Sequence, residues 1–359
     1  MNSFMQPEND VKTAAPIFLI CSERSGSNLI SSIVGEHPAV YAHPPYHLGR
    51  DLLLRLHEVA AGESSSAALQ VLKDNALDKV RKYRSEEEAL RLADWFNQQT
   101  ELSPHATARF VFQEMPLEAH GKHAFVKENN VHQLLFFLVD CFPDAKFIFQ
   151  VRDPRDFLLS AVVRRKRWLG NKFGSVRNAL NVWREDQLGG LTAYGLLGPE
   201  RVFLQRYEDL VGRFEETVTQ LCTFLGLSFD ERMHKFHEAD SAQRLAVKGG
   251  PRENLAKPLM TENFRKYRKG LSRGQVKIVE AYVGDLMDRF GYPREYTGLA
   301  KPGLFSAVRP QLTEPLERFI NGDMQPQYKF GNRRLKKQLD AHVAPLCPPL
   351  WDSKGNSGT

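Results

Sequence analysis

The apolar and polar positions of this chain fall into a recurring couple: a short apolar run, a polar break, then apolar residues at helical spacing. Ile17–Cys21 (IFLIC) is the first such run, and Asn28–Gly35 carries the helical pattern behind it. The couple returns at His123–Lys127 (HAFVK), followed by VHQLLFFLVDCF. It returns again at Ala145–Val151 (AKFIFQV), followed by FLLSAVVRRKRWL, and at Arg201–Arg206 (RVFLQR), followed by FEETVTQLCTFLGL. Runs that are apolar throughout suit strands buried on both faces, and strand–helix alternation predicts an α/β fold with a mostly parallel sheet flanked by helices. A last helix is expected to open after Leu271–Ser272 and to stop at Gly291. No internal repeat is present.

Three regions break the alternation. Residues 1–14 read as a loose leader. From about 48 to 120 the pattern is helical and polar with little strand-like sequence, so a helical insertion between core strands is expected. The tail, 301–359, is rich in Pro and basic residues and reads as an irregular extension wrapping the surface. The core domain is thus expected over 15–300.

The polar breaks carry the chemistry. Between the first strand and its helix stands SERSGSN, which aims backbone N–H groups and a helix N-terminus at one point. The dipole puts about half a unit of positive charge there, which suits a phosphate. Gly26 permits close approach, Ser25, Ser27 and Asn28 add donors, and Arg24 adds charge; the structural alternative is a capped helix after a core strand. The pattern G-x-x-x-x-G-K-[ST] is missing, so the metal apparatus of an ATP hydrolase is not expected. The break after the third run is Arg152-Asp-Pro-Arg-Asp, with Ser160 eight residues beyond Arg152. An Arg at a strand's C-terminal end and a Ser on the next helix can share one phosphate, at the sheet edge where α/β folds bind ligands. A salt-bridged turn is the structural alternative. Two such sites imply a ligand with two separated phosphates.

Charge agrees with an anionic ligand: 49 Lys and Arg against 43 Asp and Glu give a formal +6. The basic run Arg164–Arg167 lacks interleaved aromatics, so it reads as a solvated helix face or as steering for an anion, and nucleic acid is not an expected partner. Four scattered cysteines read as reduced core thiols, and the His, Cys, Asp and Glu spacings call for no metal. No apolar run approaches membrane-spanning length, which points to a cytoplasmic protein without a transmembrane segment. Nothing in the sequence speaks to oligomeric state.

SERSGSN and RDPRDFLLS resemble the two signature elements of sulfotransferases that use 3′-phosphoadenosine 5′-phosphosulfate (PAPS). QRYEDLVGRFEETVTQLCTFLGLSFD is similar to a third family segment, and the three occur in the family's order. The resemblance implies a P-loop-like fold and a sulfuryl donor, PAPS. It implies Ser25, Gly26, Ser27 and Asn28 around the 5′-phosphosulfate, Arg152 and Ser160 at the 3′-phosphate, and Tyr207 near the adenine. Lys257, in AKPLM, is a candidate nucleotide ligand from the late segment that returns over the donor. Arg24 stands where the cytosolic branch has a Lys and, holding its proton, acts as an electrostatic clamp.

The general base departs from the pattern. The cytosolic branch draws it from a His two residues after a Lys; here Lys127 is kept and Asn129 occupies the His place. Other branches take the base from the segment after the first helix, here GEHPAVYAHPPYHLGR, an expected loop with two histidines able to titrate near neutrality. His43 is the first candidate, His47 the second and Glu128 the outlying one. The expected reaction is in-line transfer of the sulfuryl group to a hydroxyl, less readily an amine, of a small-molecule or carrier-bound acceptor. A nucleotide kinase with a degenerate loop and an inactive nucleotide-binding scaffold are the alternatives.

Overall fold

The protein is described here from a computed structural model, which covers residues 14–53, 56, 66–128, 131–165, 173, 175–246, 252–299, 341–347 and 350–351. In chain order the elements are β1 (Ile17–Cys21), α1 (Ser27–Gly35), β2 (Val40–Ala42), α2 (Ser66–Tyr83), α3 (Glu86–Gln98), α4 (Pro104–Arg109) and β3 (His123–Val126). They continue with α5 (Leu135–Cys141), β4 (Lys146–Val151), α6 (Pro154–Arg165), α7 (Val176–Leu197), β5 (Val202–Arg206), α8 (Tyr207–Gly212) and α9 (Phe214–Leu225). Then come α10 (Asp240–Leu245), α11 (Tyr267–Gly270) and α12 (Arg273–Arg289).

The five strands form one sheet in the order β2-β3-β1-β4-β5, and every pair is parallel. Side-chain alternation along β1 explains why its sequence is apolar throughout. Ile17 and Leu19 pack with α1 and α9 on one face, while Phe18 and Ile20 pack with Phe147, Phe149 and α7 on the other. Each face is covered by helices, as parallel sheets require. The sequence expectation of an α/β fold with a parallel sheet holds, and so do the positions of β1, β3, β4, β5, α9 and α12.

Several elements escape the sequence pattern: β2, the long helix α7 and the short helices α8, α10 and α11. β2 lies inside the segment read as a loop after the first helix. It is only three residues long, flanked by Pro38 and Pro44, and it pairs with β3 through Val40↔His123 to Ala42↔Phe125. Between β2 and β3 the chain is helical: α2, α3 and α4 pack Leu72, Val80, Leu92 and Ala108 onto the Phe18 face of the sheet. At the far end, Leu350 and Trp351 are buried in the same core, and Arg289 Nη1 donates to the Cys347 carbonyl at 2.8 Å. This part of the tail is core, not a surface wrap, and residues 301–340 and all of the leader except Ala14 lie outside the described residues.

α7 crosses β4 at Gly190, while the neighbouring Gly189 lies against His132. A β-carbon on Gly190 would stand 2.2 Å from the fully buried Phe149 ring. A Gly190→Ala protein is therefore expected to lose about 1–3 kcal/mol, the cost of overpacking a close-packed core, read as a lower denaturant midpoint with an unchanged slope.

Candidate active site

The first polar break is built by backbone geometry. β1 ends at Cys21, and the chain turns before α1 opens at Ser27, with the Ser25 N–H donating to the Ser22 carbonyl at 3.2 Å. Two residues of this turn are left-handed, Arg24 at φ 69° and Gly26 at φ 87°. Gly26 is constrained twice, because an added β-carbon would also lie 2.4 Å from Cδ2 of Tyr207. A chain of amides ties the strand ends together: Gln205 Nε2 donates to Gln150 Oε1 at 2.6 Å, and Gln150 Nε2 donates to the Ser25 carbonyl at 2.6 Å.

The second break is joined directly to the first. Arg152 follows β4, and its Nη1 donates to the Arg24 carbonyl at 2.8 Å while its guanidinium stacks 4.4 Å from the Tyr207 ring centroid. Arg24 Nε in turn donates to Ser160 Oγ on α6 at 3.1 Å. The two sequence motifs thus touch. Ser25 Oγ and Arg152 Nε are buried without a hydrogen-bond partner, although both belong to strongly polar groups. Buried polar atoms normally have partners, so these two fit a ligand that supplies them.

Both readings of Arg-Asp-Pro-Arg-Asp hold, on different residues. Arg155 is the salt-bridged one: its Nη2 donates to Asp153 Oδ2 at 2.7 Å, its Nη1 to Glu280 Oε1 at 2.8 Å, and it lies under the Tyr267 ring. Arg152 is left to face the opening. Next to it, burial pushes the Glu208 carboxyl up to about 7 despite the bonds it accepts from the Asp153 N–H and the Tyr292 hydroxyl.

Arg24, Gly26, Ser27, Asn28, Arg152, Ser160 and Tyr207 all line one cavity of about 350 Å³ at the C-terminal edge of the sheet. Its far wall is the segment 252–266, which contributes Arg252, Asn254, Leu255, Pro258, Asn263 and Lys266. That wall is fastened down. Asp156 accepts the Arg265 and Tyr267 N–H groups at 2.6 and 2.8 Å, and Asn263 Nδ2 donates to the Tyr207 hydroxyl at 2.7 Å. Lys257 departs from its expected place: it is exposed, paired with Glu253 at 3.7 Å and bonded to Asn254 Oδ1 at 3.2 Å, and its side chain is not part of the lining. The cations that do face the cavity from this segment are Arg252 and Lys266, neither of them marked by a sequence motif.

The candidate bases lie across β1, where β3 and β2 end. Lys127 and Glu128 follow β3 and are both nearly buried. Burial and the neighbouring Arg252 charge hold the Lys127 ammonium below the usual lysine range. His43 follows β2, and its place does not suit proton transfer to a ligand. Only 3% of it is exposed, Nε2–H is committed to the Phe112 carbonyl at 2.9 Å, and the rings of Tyr41, Tyr46 and Phe112 surround it. Burial lowers its pKa to about 4, away from the neutral titration that its sequence context suggested. His47 differs. It adopts a left-handed φ of 60°, its side chain is 21% exposed, and Nδ1 lies 3.8 Å from Glu128 Oε2. Asn129, Lys166 and Arg167 lie outside the described residues, as do the side chains of Arg164 and Arg165.

A sulfotransferase family model matches residues 16–231, more than half of the chain and all of the elements that build the cavity except the 252–266 wall. The chain belongs to the sulfotransferase family. The fold agrees: the sulfotransferase domain of the Synechococcus PCC 7002 olefin synthase superposes with a TM-score of 0.52 at 21% identity, over 75% of this chain and 95% of that one. The sheet is therefore the P-loop-like sheet of that family. A Drosophila melanogaster protein-tyrosine sulfotransferase is 22% identical over 284 residues, 77% of this chain and 51% of that protein. A Gallus gallus protein-tyrosine sulfotransferase 2 is 24% identical over 190 residues, 52% of this chain and 50% of that protein. The chain thus spans about half the length of these curated relatives. Among the described residues, no helix is long and apolar enough to cross a membrane, and no three His, Cys, Asp or Glu side chains are grouped to hold a metal ion.

Two outcomes follow from this geometry. Gly26→Ala is expected to abolish anion binding at the cavity, because the loop must leave its left-handed turn and Tyr207 must move; calorimetric titration with adenosine 3′,5′-bisphosphate reads this directly. His43 sets an acid limit on stability. Its imidazole stays neutral to about pH 4 in the fold, while an unfolded His protonates near 6.5, so the unfolded chain binds the extra proton between those values. Stability should fall as pH drops from about 6.5 to 4. In His43→Gln, which can keep the bond to the Phe112 carbonyl, that stretch of the urea-midpoint profile should be flatter.

Proposed function

We propose that this protein transfers the sulfuryl group of PAPS to a hydroxyl acceptor, with Arg24, Arg152, Ser160 and the Ser25–Asn28 turn as the donor site and His47 as the general base. The observation that carries the reading is the junction of the two motifs: Arg24 bonded to Ser160 and Arg152 bonded to the Arg24 carbonyl, over one cavity. An adenosine bisphosphate presents two anionic groups to such a junction. The N–H groups at the start of α1 and Ser25 Oγ suit the 5′ end, Arg152 and Ser160 the 3′-phosphate, and the Tyr207 face the adenine. Arg24 stands between the two ends and holds charge for both.

The residues supply positioning and charge rather than covalent chemistry. As the acceptor oxygen bonds to sulfur, the bond from sulfur to the 5′-phosphate oxygen breaks and its electron pair leaves with the phosphate. The α1 N-terminus and Arg24 stabilise that growing charge where it appears. The acceptor proton goes to His47, and Glu128 beside it favours the imidazolium that forms. Acceptors of the protein-tyrosine kind, named for the two curated relatives, belong to the hydroxyl class suggested here; the alignment spans only about half of those proteins.

His47→Ala is expected to bind adenosine 3′,5′-bisphosphate within about twofold of the parent protein. Its transfer of labelled sulfate to acceptors found by screening hydroxyl classes should fall roughly 10²–10⁴-fold. Titrations with the bisphosphate and with ATP, each without Mg²⁺, test the donor reading itself. Tight binding of ATP and weak binding of the bisphosphate would replace it with the kinase reading.

A further inference from the structure

A run of aromatic rings joins the Arg152 side of the cavity to the C-terminal segment. Trp183, on α7, donates its Nε1–H to the Arg152 carbonyl at 3.1 Å. Its ring meets Phe290 edge-on with centroids 6.4 Å apart, and Phe290 meets Trp351 at 6.3 Å. All three rings are buried, Trp351 with 6% of its surface exposed. Trp351 has a second neighbour in Arg206, whose guanidinium carbon lies 5.2 Å from its ring centroid. The match to the family model ends at residue 231, so this ring comes from outside the matched region.

Arg206 stands where a small shift reaches the cavity. It is the last residue of β5, the N-cap of α8 and the chain neighbour of Tyr207. Its Nε and Nη2 donate to Asp209 Oδ2 and Oδ1 at 2.8 and 3.0 Å, which leaves the flat faces of the guanidinium for aromatic rings. A cation gains most from a ring where water is excluded, as it is around Trp351. Backbone contacts bring the ring there: the Leu350 N–H donates to the Arg289 carbonyl at 3.0 Å, and the Arg289 side chain donates to the Cys347 and Pro345 carbonyls at 2.8 and 3.1 Å. Tyr207 has little room to move, because its ring is pressed on Gly26 and carries Arg152 at 4.4 Å. Interiors packed this closely pass a displacement on instead of absorbing it.

We infer that Trp351 is a positioning residue of the donor site. Through Arg206 it holds the point at which the chain leaves β5 and presents Tyr207. Through Phe290 and Trp183 it backs the carbonyl of Arg152. The two lines of contact end on donor residues that touch each other, so one ring governs the spacing of both. Trp351 does not line the cavity and acts only through these neighbours. The inference rests on the PAPS reading and extends that site to the C-terminal segment.

Calorimetric titration of the full chain with adenosine 3′,5′-bisphosphate, run beside urea unfolding, tests it. In Trp351→Ala the bisphosphate affinity is expected to fall about tenfold under conditions where the protein is still folded. The KM for PAPS should rise in proportion, with the acceptor KM within about twofold of the parent protein. Trp351→Phe, which keeps a ring on Arg206, should restore most of the affinity. Leu350→Ala supplies the control for general loosening: it empties a buried position of the same segment but keeps the Trp351 ring, so its urea midpoint should drop while its affinity stays within about twofold. Trp351→Leu, which keeps apolar bulk, replaces Trp351→Ala if that variant does not fold. Parent-like affinity in the folded Trp351 variant overturns the positioning role and leaves the donor reading intact. An equal loss of affinity in Leu350→Ala or in Trp351→Phe overturns it as well, because the ring face would then not be what matters. Failure of the parent protein to bind the bisphosphate overturns the donor reading and the positioning role with it.

Discussion

The contact on which the site depends is the ring of Tyr207 laid close against the backbone of Gly26. It brings the end of β5 onto the turn after β1, and it is possible only where no β-carbon intervenes. Arg152 packs on the same ring, 4.4 Å from its centroid, and reaches the Arg24 carbonyl. Behind this layer the Gln205–Gln150–Ser25 amide chain fixes the spacing of the three strand ends. A buried amide chain of this kind costs nothing only while every link is made, so displacement of one strand end disturbs all three. The proposed anion site is thus a property of strand register before it is a property of any one basic residue.

The same register explains what was legible in the sequence. β3, β1 and β4 lie inside a sheet covered on both faces, and they had to be written in apolar residues; their pattern is visible because burial leaves few alternatives. The two polar breaks were visible for a related reason, since a polar turn directly after such a strand has few structural uses. β2 was not legible. A three-residue edge strand between prolines has no period to detect, and pairing with β3 decides it. α7 was missed because its core face includes Gly189 and Gly190, where the packed surface is backbone and no apolar side chain marks it.

Side-chain orientation is the part of the site that the sequence does not carry. His43 and His47 stand four residues apart in one segment and look alike there. The structure separates them by what surrounds each ring: aromatic side chains and a carbonyl for His43, a carboxylate and an opening for His47. Lys257 and Arg252 differ in the same way. Both belong to one basic, proline-bearing stretch, and only the fold turns Arg252 into the cavity and leaves Lys257 paired with Glu253 outside it.

The helical region between β2 and β3 has a physical role beyond covering the sheet. Its α3 residue Glu88 accepts a bond from the Tyr46 hydroxyl at 2.9 Å, inside the core and one residue before His47. Arg84, between α2 and α3, holds that carboxylate at 2.8 Å and lies over the Tyr41 ring of β2. The loop that bears His47 is therefore tied to this pair of helices. Geometry across a transfer site has to hold to fractions of an ångström for proximity to lower a barrier. A buried, charge-paired network resists displacement more than exposed loop contacts do, because breaking it leaves an uncompensated charge inside the protein. On the proposed reading α2 and α3 hold the His47 side of the site, and the sheet sets the order in which the strand ends face it.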